Sequence, residues 1–307
     1  MYESIDSIQL NFDASSLIAL NIALGLIMFG IALALRVDDF KAVLDRPFAP
    51  MIGLGAQFLL LPAATWGLTR LLDVPPSIAL GMILVSSCPG GNISNFIAHI
   101  SRANTALSIS VTAISTAASV VMTPLNIAFW GSRSADTRAL LEELHIDPFG
   151  MFFNVMILLG VPLVLGMLMR ARFPDFADRL VKPFKVGSIL LFGALVLIAF
   201  NANREFFLVV IGIIFVPVFL HNSLAWIVGY GAGWLARLPR EDTQAISIEV
   251  AIQNSGLGLV LIFAFFDGLG GMAVIAAWWG IWHIIAGLSV ATLWNYLHKR
   301  KSRGVSQ

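Results

Sequence analysis

Glu249 is the only acidic side chain inside an apolar span of this chain. It lies in Ile248-Glu249-Val250-Ala251-Ile252-Gln253-Asn254-Ser255-Gly256. A carboxylate held in hydrocarbon is costly unless a cation or hydrogen bonds compensate it, so such a residue marks a functional site by default. The Gln253-Asn254-Ser255-Gly256 that follows predicts a broken helix, whose freed carbonyls could help to hold a cation. A structural Glu paired with a neighbouring helix is the plainer alternative. A second interrupted segment weighs against it: Ser86-Ser87-Cys88-Pro89-Gly90-Gly91-Asn92-Ile93-Ser94-Asn95. Pro89 removes a backbone donor and the two glycines weaken the helix, so this span is expected to unwind near its middle. Alone, Pro89-Gly90-Gly91 would read as a kink or a tight helix crossing; its pairing with the Glu249 segment favours a site.

The elements that must position these residues are membrane helices. Of 307 residues, 58% are hydrophobic and 12% charged, and the mean hydropathy is +0.86. A soluble domain carries about 25% charged residues, so the fold class is an all-α polytopic membrane protein. A net charge of +1 gives no sign of a nucleic-acid partner. Cys88 is the one cysteine, which leaves no intrachain disulfide to form. Apolar stretches of about 20 residues can cross a bilayer as helices. Nine are read, at roughly 15–36, 48–70, 77–100, 104–130, 148–170, 184–202, 206–234, 243–266 and 269–297. Residues 1–14 carry Glu3, Asp6 and Asp13 but no Lys or Arg, the wrong charge for a cleavable signal peptide; the first span is expected to act as an uncleaved anchor.

Basic residues report orientation. With the N-terminus outside, 15 of the 19 Lys and Arg fall in inner connections or in the C-terminal tail, 298–307. An odd number of spans with the C-terminus in the cytoplasm is the consistent solution. The interrupted third and eighth spans are five apart. An odd offset sets corresponding segments in opposite orientations, as in the inverted repeats of secondary transporters, whose binding sites lie at such paired interruptions.

Cys88-Pro89-Gly90-Gly91 with Ser94-Asn95, and Glu249 with Gln253-Asn254-Ser255-Gly256, resemble the bile acid:sodium symporter family. Supporting matches are Gly30, Asp39-Phe40, Gln57, Pro62 and Trp282-His283. The likeness runs from about residue 20 to the end. It implies a core domain, here 48–130 and 206–297, with discontinuous crossing helices 77–100 and 243–266. A panel domain of 15–36 and 148–202 would pack beside it. The nine-helix form would lack the first helix that many bacterial relatives have. The resemblance also implies two co-transported sodium ions. The first would sit among Ser94, Asn95, Ser108, Thr112 and Glu249; the second among Gln57, Glu249, Gln253 and the carbonyls of Val250 and Ile252. A hard cation selects oxygen over sulfur, which argues against the Cys88 thiol. Ser108 and Thr112 are four apart and share a helical face. Each of these polar residues alone would more often hydrogen-bond its own helix or a neighbour; their joint occurrence with Glu249 carries the weight. The helix breaks would involve Pro89, Gly90, Gly91 and Gly256.

One carboxylate with two sodium ions leaves a surplus positive charge, which favours an organic anion, bile acid-like or a smaller carboxylate. Asn92, Asn254 and His283 are the candidate substrate contacts. His221-Asn222 is expected to be a packing contact, and Trp278, Trp279, Trp282 and Trp294 an interfacial belt with helix packing. Beyond substrate, ions and the lipid bilayer, no obligatory protein partner and no redox or nucleotide cofactor is expected. Three rivals are weighed against symport, and a channel is set aside because Pro89-Gly90-Gly91 and the Gln253 break read as a central site between moving halves. A proton-coupled anion carrier would need no oxygen cage. A membrane enzyme is remote: His-Glu-x-x-His and Gly-x-Ser-x-Gly are absent, and a Glu249–His283 acid–base couple is all that remains.

Overall fold

The structure is a computed structural model that describes residues 25–26, 28–35, 45–91, 93–144, 148–184, 186–187, 190 and 204–304. Among these every regular element is a helix. We label them α1 (Phe48–Leu72), α2a (Pro76–Ser87), α2b (Ile93–Ser101), α3 (Thr105–Gly131), α4 (Ala135–Glu143), α5 (Pro148–Arg172), α6 (Arg204–Leu235), α7a (Arg240–Ala251), α7b (Ser255–Phe265) and α8 (Gly270–Gly304). A short helical stretch over 28–34 precedes them. Four helices, α1, α3, α6 from Gly212 and α8 to His298, are long and apolar enough to cross a membrane. Leu59, Leu60, Leu71, Val164, Leu168, Val216 and Ile227 lie on the exterior. A largely apolar outer face is what a helix bundle in hydrocarbon requires. The chain is an integral membrane protein.

Both expected interruptions are present. α2a ends at Ser87, and Cys88 turns extended (φ −73°, ψ 159°), the conformation imposed on a residue that precedes proline. α7a ends at Ala251, and Ile252 is likewise out of the helical region (φ −106°, ψ 90°). Asn254 then starts α7b by accepting the Leu257 N–H at 3.0 Å, an N-cap bond. Gly256, expected at the break itself, stands inside the first turn of α7b, because Asn254 restarts the helix two residues earlier. Described helices lie along the stretches 48–70, 77–100, 104–130, 148–170, 206–234, 243–266 and 269–297. Most of the sixth span, 184–202, and most of the first lie outside the described residues.

Two features differ from expectation. α4 occupies the connection between α3 and α5, with Leu140 and Leu141 buried; its alternation is too short to read as a span. α8 continues to Gly304, so the basic tail expected over 298–307 begins as the end of a helix.

Close helix approach depends on small residues. A Cβ on Gly229 would lie 2.7 Å from the Ser247 Cα, and one on Gly233 2.9 Å from the Thr243 Cα. α7a is therefore pressed against α6. Likewise a Cβ on Gly166 of α5 would lie 2.8 Å from the Phe29 carbonyl, which packs the 28–34 stretch on α5.

Candidate functional site

The two breaks cross each other. Gly90 and Gln253 form an isolated antiparallel bridge. The Gly91 N–H donates to the Ile252 carbonyl at 2.7 Å, and the Asn254 N–H to the Pro89 carbonyl at 2.9 Å. Backbone groups freed in one helix are thus satisfied by those freed in the other, the condition under which irregular backbone survives at membrane depth. The glycines are needed for contact, not for flexibility: a Cβ on Gly90 would overlap the Glu249 Oε2, and one on Gly91 would lie 3.0 Å from the Gln253 carbonyl oxygen.

Glu249, in the last turn of α7a, is 1% exposed and faces α2b and α3. Its Oε1 accepts hydrogen bonds from Ser94 Oγ at 2.5 Å and from Ser108 Oγ. Its Oε2 accepts from Thr112 Oγ1 at 2.8 Å. Asn95 closes the group: its Oδ1 lies 2.9 Å from Ser108 Oγ and 3.2 Å from Thr112 Oγ1. All five residues expected at the first ion site are therefore assembled in one cluster from three helices. Its donor atoms are carboxylate, hydroxyl and amide oxygens, the set that suits a hard monovalent or divalent cation.

The residues expected at the second site also meet. Gln57 Nε2 donates to the Gln253 Oε1 at 2.8 Å and to the Cys88 carbonyl at 2.6 Å. Gln253 Nε2 reaches the Gln57 Oε1 at 3.2 Å and the Val250 carbonyl at 2.6 Å. Val250 and Ile252 carbonyls were expected to be released by the break. Each instead accepts one hydrogen bond, from Gln253 and Gly91 respectively, and retains its second lone pair. Cys88 meets this group through its backbone oxygen, which accepts from Gln57, and not through its thiol.

The substrate candidates are less gathered. Asn92 lies outside the described residues. The Asn254 side chain caps α7b. His283 is 5% exposed on α8, with Nδ1 buried and without a partner among the described residues. His221 and Asn222 act in packing, as expected, but with a consequence for the crossing. His221 Nε2 lies 2.8 Å from Thr65 Oγ1, joining α6 to α1. Asn222 Nδ2 donates to the Ala251 carbonyl at 2.9 Å, and Trp226 Nε1 fixes its other end at 3.2 Å. Asn222 thus caps the severed end of α7a, two residues from Glu249. Thr123 does the same for α2a, donating to the Ser87 carbonyl at 2.6 Å. Trp279 is fully buried against the His221 ring, and Trp278 and Trp282 pack on Phe215.

Comparison with known proteins gives the chain a family. Residues 21–209 match the model of the Sodium Bile acid symporter family. The chain is 35% identical to the Bacillus subtilis (strain 168) protein named "Uncharacterized sodium-dependent transporter YocS", over 93% of this chain and 85% of that one. It is 30% identical to "Probable sodium/metabolite cotransporter BASS2, chloroplastic" of Oryza sativa subsp. japonica, over 78% of this chain and 55% of that one. It is also 30% identical to the P3 protein of Bos taurus, over 76% and 48%. The chain therefore spans about half the length of the latter two. Two broken helices crossed around a buried carboxylate, with relatives of this kind, define a membrane transporter. The chain belongs to the sodium bile acid symporter family.

Proposed function

We propose that this transporter is a symporter that couples two sodium ions to the import of an organic anion, bile acid-like or a smaller carboxylate, by alternating access. One observation carries the proposal: Glu249 meets Ser94, Ser108 and Thr112, themselves joined to Asn95, beside the crossing of two broken helices. Hydroxyl and amide oxygens around one carboxylate make a cage for a hard cation. A proton carrier would need the carboxylate alone, so this crowd of oxygens favours sodium over protons. The Gln57–Gln253 pair with the Val250 and Ile252 carbonyls supplies the second cage.

The helix ends support an anion beside the cations. α2b and α7b begin at the crossing, and helix N-termini carry partial positive charge; α2a and α7a end there, with partial negative charge that favours cations. Asn92, Asn254 and His283 are the proposed substrate contacts. In this proposal α1–α3 and α6–α8 form a core with an inverted repeat, each half running long helix, broken helix, long helix. The panel, 15–36 and 148–202, is supported by the tight contact of the 28–34 stretch with α5 at Gly166. Nine spans would place the N-terminus outside and the C-terminus in the cytoplasm of a bacterial cell.

Energetically, a tenfold sodium gradient contributes about 1.4 kcal/mol per ion. One net charge at 100 mV adds about 2.3 kcal/mol. Two ions with one monoanion then supply roughly 5 kcal/mol, enough for accumulation on the order of a thousandfold. The test is a screen of carboxylates and bile acids by thermal shift in sodium and in potassium, followed by uptake of the hits into liposomes. Uptake is expected only with an inward sodium gradient. Equal uptake in choline buffer with the proton gradient collapsed would remove the proposal.

A further inference from the structure

We propose that Asn126 is a positioning residue for the second cation cage, acting through a widened turn of α1; the inference rests on the sodium proposal above. Gln57 stands in a π-helical turn, Ala56–Leu60, in which the Leu61 N–H reaches back to the Ala56 carbonyl. Pro62 follows directly on this turn. It has no N–H to offer the Phe58 carbonyl four residues earlier, so a regular α-helix would leave that oxygen unpaired. At membrane depth an unpaired carbonyl needs another donor. Asn126 supplies it across the bundle from α3: its Nδ2 donates to the Phe58 carbonyl at 3.0 Å.

The wide turn matters for where Gln57 points. A π-turn inserts one residue into the helix, which offsets the two flanking segments by about 100° around the axis. The outer segment of α1 is anchored by Thr65 to His221. Leu59 and Leu60 are 62% and 51% exposed on the lipid side, while Gln57 is buried with its amide on the Cys88 carbonyl and Gln253. With Thr65 fixed, closing the turn to an α-helix would swing Gln57 about a quarter turn away from the crossing. Asn126 therefore holds the backbone next to Gln57 in the one register that delivers this amide to the cage. It bonds a carbonyl one residue away and is not itself a ligand. A helix-gluing amide, the usual role of a buried Asn between membrane helices, would stabilise the protein without regard to Gln57.

The background in which Asn126 is changed separates these roles. Binding of radioactive sodium to the purified full chain is measured for the parent, Gln57→Ala, Asn126→Leu and the double variant. Asn126→Ala, which also lacks the amide donor, serves if leucine is not tolerated. Asn126→Leu is expected to raise the half-saturating sodium concentration of one of two ions about tenfold, as loss of a ligand-orienting contact does. In the Gln57→Ala background it is expected to add nothing. Unchanged sodium binding in Asn126→Leu, with Gln57→Ala impaired, would overturn the role of Asn126 alone. So would an equal loss from Asn126→Leu in both backgrounds. Unchanged binding in Gln57→Ala would instead remove the second cage, and this inference with it.

Discussion

Replacing Glu249 by glutamine keeps the volume of the side chain and removes its charge, so stability and ion affinity should respond differently. The carboxylate accepts three hydroxyl hydrogen bonds, from Ser94, Ser108 and Thr112. Bonds to a charged acceptor are worth about 1.5–3 kcal/mol each against about 1 kcal/mol for neutral ones. Glu249→Gln therefore forfeits a few kcal/mol of hydrogen bonding. It also removes an ion that is 1% exposed, whose burial costs several kcal/mol even after relaxation. These terms oppose each other and are of similar size. In potassium buffer the melting temperature of Glu249→Gln is expected to lie within a few degrees of the parent or above it. Sodium affinity has no such compensation. Two unit charges about 4 Å apart attract by about 4 kcal/mol at an effective dielectric constant of about 20, close to three decades in affinity. The sodium-dependent rise in melting temperature, which follows ligand binding to the folded state, should vanish at concentrations that saturate the parent. Thermal shift in sodium and potassium, with radioactive sodium binding as the direct measure, reads both. If Glu249→Gln still bound sodium within tenfold of the parent, the assignment of this carboxylate as the cation's countercharge would be refuted.

Three further outcomes follow from the same contacts. Gly90→Ala should abolish sodium-induced stabilisation, because its methyl would overlap the Glu249 Oε2. Gly258→Ala should not, since its Cβ meets nothing closer than Cys88 Sγ at 3.6 Å; equal behaviour of the two in thermal shift would contradict the steric account. Thr112→Val keeps shape and loses the oxygen on Glu249 Oε2 and near Asn95; about a tenfold loss of sodium affinity in a folded protein is expected, measured by sodium titration. Gly229→Ala pushes α6 from the Ser247 backbone and should lower the melting temperature in potassium as much as in sodium, an overpacking cost of about 1–3 kcal/mol checked by the same assay.

The amino-acid sequence by itself determined the membrane class, most of the helices now described, and both breaks. The bilayer makes this possible: hydrocarbon demands long apolar windows, so a lone Glu249 or a Pro89-Gly90-Gly91 in such a window stands out. The ligand group was legible only through its resemblance to a family, because Ser94 and Glu249 are 155 residues apart and no local period links them. Tertiary structure decided which freed groups meet. Nothing in the pattern pairs Gly91 with the Ile252 carbonyl, commits Gln253 to the Val250 carbonyl, or turns Asn222 to the end of α7a. Nor does it show that Asn126 would serve the Phe58 carbonyl, 68 residues away. Helix formation is local and can be read along the chain. A buried polar group is satisfied by whatever packing brings beside it, and that is settled only when the helices cross.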